Sequence, residues 1–180
     1  MKYFFRFCFW LTGWKIIGHK PTLNKYVLIV APHTSNWDFF VGLAARTIEG
    51  IHSRFLIKDS ITKLPVIGQL IEWLGGRGVD RSKSTRVVDQ IAEMYSKEQE
   101  FVMTITPEGT RSYSPNWKTG FYRLAVMVNI PIQMVGFDYG KKEVVFRELF
   151  YPTGDADRDI EYMKAYYRTI RGKHPEKGVK

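Results

Sequence analysis

The sequence predicts a single α/β domain built on a mixed, largely parallel β-sheet flanked by helices, preceded by an N-terminal amphipathic membrane-associating helix. Three observations lead there. The runs Tyr26-Val27-Leu28-Ile29-Val30 and Phe101-Val102-Met103-Thr104-Ile105-Thr106 are of strand length and nearly continuously apolar, the mark of strands buried on both faces of a parallel sheet. Segments with helical hydrophobic spacing alternate with such runs, as βα units require. A chain of 180 residues with 44% hydrophobic content can bury one core and is short for two.

The first segment carries Phe4, Phe5, Phe7, Phe9, Trp10, Leu11, Trp14 and Ile16, interrupted by Arg6 and Lys15. It falls short of the roughly 20 apolar residues needed to span a bilayer. Aromatic rings interleaved with cations suit the headgroup boundary, so residues 1–17 are read as an interface segment, the alternative being a first helix packed on the core. No small-residue cleavage site follows, and the segment is expected to be retained rather than removed as a signal peptide.

Residues 18–24 are turn-like, and Pro32 stops the strand at 26–30. Thr34, Ser35 and Asn36 offer capping side chains before a helix over 37–45. A strand at 54–58 precedes a helix with Pro65 in its first turn, ended by Gly75-Gly76. Val79 is strand-like, and Val87, Val88, Ile91, Ala92 and Met94 repeat at helical spacing within 84–98. Pro107 terminates the strand at 101–106. A helix over 120–129, strands at 130–137 and 143–146 and a polar helix over 155–171 complete the domain, 18–171. Residues 172–180 read as a basic mobile tail.

Lys and Arg number 27 against 18 Asp and Glu, a formal net charge of +9. That excess favours an anionic partner: nucleic acid, anionic lipid or a phosphorylated substrate. The cations are spread along the chain and no helix-turn-helix, zinc-finger or RNP-like pattern occurs, so nucleic acid is not the expected partner. Cys8 is the single cysteine, which excludes an internal disulfide and leaves nothing that requires an oxidising compartment. His19, His52 and His174 lack ligand spacing and His-Glu-x-x-His is absent, so no metal is expected.

Two motifs carry chemistry. In His33-Thr34-Ser35-Asn36-Trp37-Asp38 a histidine stands just before a helix with a carboxylate in its first turn. That carboxylate can hold Nδ1 and leave Nε2 as a general base; the spacing alone also occurs by chance in purely structural settings. In Pro107-Glu108-Gly109-Thr110-Arg111-Ser112, directly after a strand, glycine permits close backbone approach and Arg111 offers a planar fork suited to phosphate. Standing alone, it reads equally as a tight turn with solvated charges.

With these two motifs in one order, the sequence resembles the glycerolipid acyltransferase family. Gly75-Gly76-Arg77-Gly78-Val79-Asp80-Arg81 and Ile130-Pro131-Ile132-Gln133-Met134-Val135 match the family's remaining blocks, the last with Met134 where the family has a second proline. Lys58, Leu64-Pro65-Val66-Ile67-Gly68 and Lys118-Thr119-Gly120-Phe121 also look familial. The resemblance implies transfer of an acyl group from acyl-CoA or acyl carrier protein to a lysolipid hydroxyl in phospholipid biosynthesis, by default that of 1-acyl-sn-glycerol 3-phosphate. Other lysolipids, including aminoacyl lipids, and a non-catalytic lipid-binding role are the alternatives. It implies no cofactor, no metal and no covalent acyl-enzyme. The aromatic and basic N-terminal segment, with a lone cysteine, leads to the expectation of a peripheral position on the cytoplasmic face of an anionic membrane. His33 and Asp38 would be catalytic, and Lys58, Arg81, Glu108, Gly109, Thr110 and Arg111 would bind substrate. Of these, Glu108 would accept hydrogen bonds from a substrate hydroxyl or align an arginine, and backbone N–H groups near Gly109 or Gly76 would stabilise the oxyanion.

Overall fold

The apolar run at 26–30 forms the middle of a seven-stranded sheet in the computed structural model, which describes residues 1–79 and 84–180. In chain order the elements are α1 (Lys2–Thr12), β1 (Lys15–Ile17), β2 (Lys25–Ala31), α2 (Trp37–Glu49), β3 (Ser53–Lys58), α3 (Asp59–Thr62) and α4 (Ile67–Trp73). There follow β4 (Gly76–Val79), α5 (Ser84–Lys97), β5 (Phe101–Ile105), α6 (Gly120–Val128), β6 (Ile132–Asp138), β7 (Glu143–Phe150), α7 (Ala156–Tyr167) and a 3₁₀ turn at Pro175–Lys177. The strand order is β1-β7-β6-β2-β5-β3-β4. Among the described residues only β6 and β7 pair antiparallel; every other neighbouring pair is parallel.

Alternation along β2 explains why its sequence shows no polar face. Val27, Ile29 and Ala31 pack with Met103, Ile132 and Met134 under α5, α6 and α7, whereas Tyr26, Leu28 and Val30 pack with Val135 and Phe137 under α1 and α2. Both faces of the strand are covered, so apolar residues are required at every position. Two buried tyrosines pin β2 to its neighbours. The Tyr95 hydroxyl donates to the Tyr26 carbonyl (2.8 Å) and accepts the Met103 N–H (3.1 Å). On the other side the Tyr167 hydroxyl donates to the Ile29 carbonyl (3.0 Å) and accepts the Val135 N–H (3.1 Å), next to the register shift between Gln133 and Val135.

At the N-terminus the helix α1 packs on the core through one side. Phe9 is buried and Phe5 packs on the same cluster as α2, while Tyr3, Phe4, Phe7, Trp10 and Leu11 stay exposed. The helix stops at Thr12, where Gly13 adopts a left-handed φ of 76°, and residues 15–17, expected to continue the interface segment, are instead an edge strand beside β7. Three residues are too few to show strand periodicity; pairing with β7 decides them. Among the described residues no helix is long and apolar enough to cross a membrane.

The helix expected from Pro65 begins at Ile67, after Val66 at φ 63°. Gly68 fits there because a Cβ would clash with the Thr62 carbonyl oxygen. Residues 172–180, expected to be a mobile tail, fold back on the domain through a 3₁₀ turn and the hydrogen bond from His174 N–H to Thr34 Oγ1 (3.2 Å).

Tyr167→Phe would leave the buried Val135 N–H and Ile29 carbonyl without their shared partner. Urea unfolding should show a loss of about 1–3 kcal/mol, and an unchanged midpoint would mean that the hydroxyl does not hold β2 to β6.

Candidate active site

The C-terminal ends of β2 and β5 lie side by side, since the two strands pair in parallel. The loops that leave them, 32–36 and 106–119, therefore meet above the sheet, where ligands gather in open α/β folds. One contact joins them directly: the Glu108 carboxylate accepts the His33 backbone N–H at 2.7 Å. The His33 ring is fixed from the other side, with Nδ1 3.0 Å from Asp38 Oδ2.

Asp38 enters from the first turn of α2. Its Oδ2 also accepts the N–H groups of Thr34 (2.8 Å) and Ser35 (3.0 Å), and its Oδ1 accepts the Tyr139 hydroxyl (2.7 Å). The residue is only 3% exposed. Burial by itself would raise its pKa, but hydrogen bonds from His33, Tyr139 and Ser35 outweigh that effect and hold the carboxyl below its usual range. Glu108, 4% exposed, has fewer donors. Burial pushes its pKa from 4.5 up to about 7, only partly offset by the His33 N–H.

An ionised Asp38 accepting from Nδ1 places the imidazole proton there and leaves Nε2 as the basic nitrogen. The ring side chain is 22% exposed and borders two spaces. A cleft of about 780 Å³ is lined by His33 to Trp37, Thr106, Gly109 to Ser112, Lys173, His174 and Lys177. A mainly apolar cavity of about 840 Å³ runs between the sheet and α2, lined by Leu28, Val30, Phe39, Leu43, Phe55, Val135 and Phe137 among others, with Arg46 and Lys118 also on its wall. His33, Asn36, Thr106, Gly109 and Arg111 border both. The arrangement can deprotonate a hydroxyl where a polar group and an apolar chain meet.

Of the residues singled out in the sequence, His33, Asp38, Glu108, Gly109, Thr110 and Arg111 come together here. The Lys58 side chain and Arg81 lie outside the described residues. Glu108, expected to accept from a substrate hydroxyl or align an arginine, holds the His33 main chain, because the strands place the two loops within hydrogen-bond reach. Gly109 takes φ 66°, and the Lys118 stem packs where a side chain would be. Met134, the departure from the proline-bearing strand, is a buried core residue. Among the described residues no cluster of His, Cys, Asp and Glu has a metal-holding arrangement.

Sequence reasoning missed Tyr139, Lys173 and Lys177. Tyr139 is 101 positions from Asp38, and no local pattern announces such a partner. Its ring also meets Trp14 edge-on at 5.0 Å, so the residue after α1 packs against the group that braces Asp38.

The raised pKa of Glu108 has a definite linkage sign. The folded protein retains this proton where the unfolded chain has lost it, so the contribution to stability is full below pH 4.5 and is lost as pH rises to about 7. The total is about 3 kcal/mol. Glu108→Gln keeps an acceptor for His33 and removes the titration. Across that window its stability relative to the parent should rise by about this amount in urea unfolding; parallel curves for the two proteins would contradict it.

A family model described as Acyltransferase matches residues 15–138. The chain is 30% identical over 130 residues to the 1-acyl-sn-glycerol-3-phosphate acyltransferase of Escherichia coli (strain K12), covering 68% of this chain and 52% of that protein. It is 36% identical over 111 residues to the mouse (Mus musculus) 1-acyl-sn-glycerol-3-phosphate acyltransferase epsilon, covering 56% of this chain and 29% of that one. The chain thus spans about half the length of the first relative and under a third of the second. The crystal structure of the 1-acyl-sn-glycerophosphate (LPA) acyltransferase PlsC from Thermotoga maritima shares the fold, with a TM-score of 0.60 at 18% identity over 92% of this chain and 74% of that chain. Because the family match takes in well over half of the chain, including the histidine and glutamate loops, this protein belongs to the Acyltransferase family.

Proposed function

We propose that the protein transfers a fatty acyl group from an acyl thioester, carried by coenzyme A or acyl carrier protein, to the free hydroxyl of 1-acyl-sn-glycerol 3-phosphate. The observation that carries this reading is the position of the braced His33 where an apolar cavity meets a cationic cleft. A lysophosphatidate has that division: one long chain, one phosphate and a hydroxyl between them. The names of the relatives support the same acceptor.

In the proposed step His33 Nε2 takes the hydroxyl proton as the oxygen attacks the thioester carbonyl. Asp38 stabilises the resulting imidazolium and keeps the ring oriented. Backbone N–H groups near Gly109 or Gly76 would meet the oxyanion; that of Gly109 itself donates to the Thr106 carbonyl at 3.0 Å. Collapse breaks the C–S bond, the thiolate takes the proton from His33, and the ester departs with the base restored. Arg111 holds the phosphate, with Lys58 and Arg81 as further cations, and the apolar cavity takes acyl chain. No cofactor enters this sequence.

Both substrates carry fatty chains, and the surface suits a peripheral place on a membrane. The helix α1 presents Tyr3, Phe4, Phe7, Trp10 and Leu11 beside Lys2 and Arg6, and α4 presents Ile67, Leu70 and Trp73. Such aromatic and basic faces bind the headgroup boundary of anionic bilayers. Donors made in the cytoplasm put that face on the cytoplasmic side.

Purified protein given lysophosphatidate with acyl-CoA or acyl carrier protein should form phosphatidate, followed by mass spectrometry. His33→Ala should lose at least about a hundredfold in rate; no product with either donor, or a loss under tenfold, refutes the assignment. Tyr139→Phe removes a brace and no substrate contact, so kcat should fall by roughly tenfold with KM unchanged.

A further inference from the structure

The segment after α7 approaches the His33 to Asp38 loop closely and is held there at several points. The Tyr139 N–H donates to the Arg171 carbonyl (2.8 Å), so the residue that braces Asp38 also fixes where the segment leaves the body. Gly172 is buried against the loop, and a Cβ there would lie 2.9 Å from Thr34 Oγ1 and 3.1 Å from Pro32 Cγ. Only glycine allows that approach without displacing a neighbour. The next contacts are Lys173 Nζ over the Trp37 ring, 4.7 Å from its centroid, and the hydrogen bond from His174 N–H to Thr34 Oγ1. The 3₁₀ turn at Pro175–Lys177 then brings Lys177 to the same cleft.

The cleft therefore has two cationic walls. Arg111 comes from the loop after β5, while Lys173 and Lys177 come from the C-terminal segment. No Asp or Glu is among the described residues that line it. Glu176, the carboxylate within the 3₁₀ turn, has His174 Nδ1 as a neighbour at 3.8 Å. Three cations with no carboxylate in a cleft that also contains His33 form a site for a compact dianion. A phosphate one carbon away from the reacting hydroxyl falls inside this cleft. The phosphates of a coenzyme or carrier arm lie many bonds from the thioester.

We infer that Lys173 and Lys177 form, with Arg111, the site that reads the phosphomonoester of the acyl acceptor, so the C-terminal segment is part of the substrate site. This rests on the proposed transfer for its substrate, but not for its measurement. Lysines serve here as point charges whose attraction falls with salt. The cleft then selects phosphate-bearing acceptors over neutral monoacylglycerols, while His33 and the apolar cavity treat both alike.

The experiment compares the full chain with K173Q, K177Q, the double variant and K97Q, in which the lysine paired with Glu93 at the end of α5 is changed as a control. Calorimetric titration with sn-glycerol 3-phosphate reads the site without turnover. The parent and K97Q should bind it, with affinity falling about tenfold for each cleft lysine removed. In acyl transfer the double variant should raise KM for lysophosphatidate by tenfold or more. It should leave KM for the donor and the rate on 1-oleoylglycerol within twofold, with melting temperature unchanged. Failure of the parent to bind glycerol 3-phosphate overturns the inference. So does equal binding by parent and double variant, or a rise in donor KM in place of acceptor KM. A parent that binds glycerol 3-phosphate through these lysines yet makes no phosphatidate leaves the cation site standing and sinks the transfer reading.

Discussion

A buried carboxylate must find donors for both oxygens, and at Asp38 that requirement organises the top of the molecule. One oxygen gathers the His33 ring and two successive backbone N–H groups, which shapes the loop between β2 and α2. The other receives Tyr139 from the end of the β6 to β7 hairpin. Through Tyr139 the same carboxylate is tied to both ends of the chain. Trp14, just after α1, packs on the tyrosine ring, and the tyrosine N–H holds Arg171 ahead of the C-terminal segment. The histidine is thus held by a network reaching four separate parts of the fold.

The two buried carboxylates beside His33 differ in the donors around them, and this separates their behaviour. Asp38 has enough hydrogen bonds to stay ionised despite burial, which suits a group that stabilises an imidazolium. Glu108 is as buried but accepts little beyond the His33 backbone, and near neutral pH it is poised between charged and neutral. It holds the main chain of His33 while Asp38 holds the ring. A second full negative charge close to His33 is thereby tempered without losing the link between the β2 and β5 loops.

Burial and charge divide the site into halves. The cavity under α2 is walled by side chains from both elements of the same layer, so its apolar lining continues the core. The cleft above is walled by loops and the C-terminal segment, where exposed cations cost little. Under the proposed transfer, that division would orient a substrate with one apolar and one anionic end before any specific hydrogen bond forms.

Sequence alone determined the class of fold and most of its interior. Strands buried on both faces leave unbroken apolar runs, and helices leave a 3.6-residue stripe, so β2, β5 and α5 could be read directly. The histidine, aspartate and glutamate loops were legible because each is a short contiguous motif beside a strand end. Tertiary structure decided what depends on contacts between distant residues: the edge strand β1, the hydrogen bond from Glu108 to the His33 backbone, the Tyr139 brace and the return of residues 172–180 to the cleft. A polar, lysine-rich segment shows no hydrophobic period, and its order comes from Gly172 fitting against Thr34 and Pro32. That fit exists only once β2 and β6 have brought the loop and the Tyr139 turn together, because no local pattern in a chain records where its distant parts will meet.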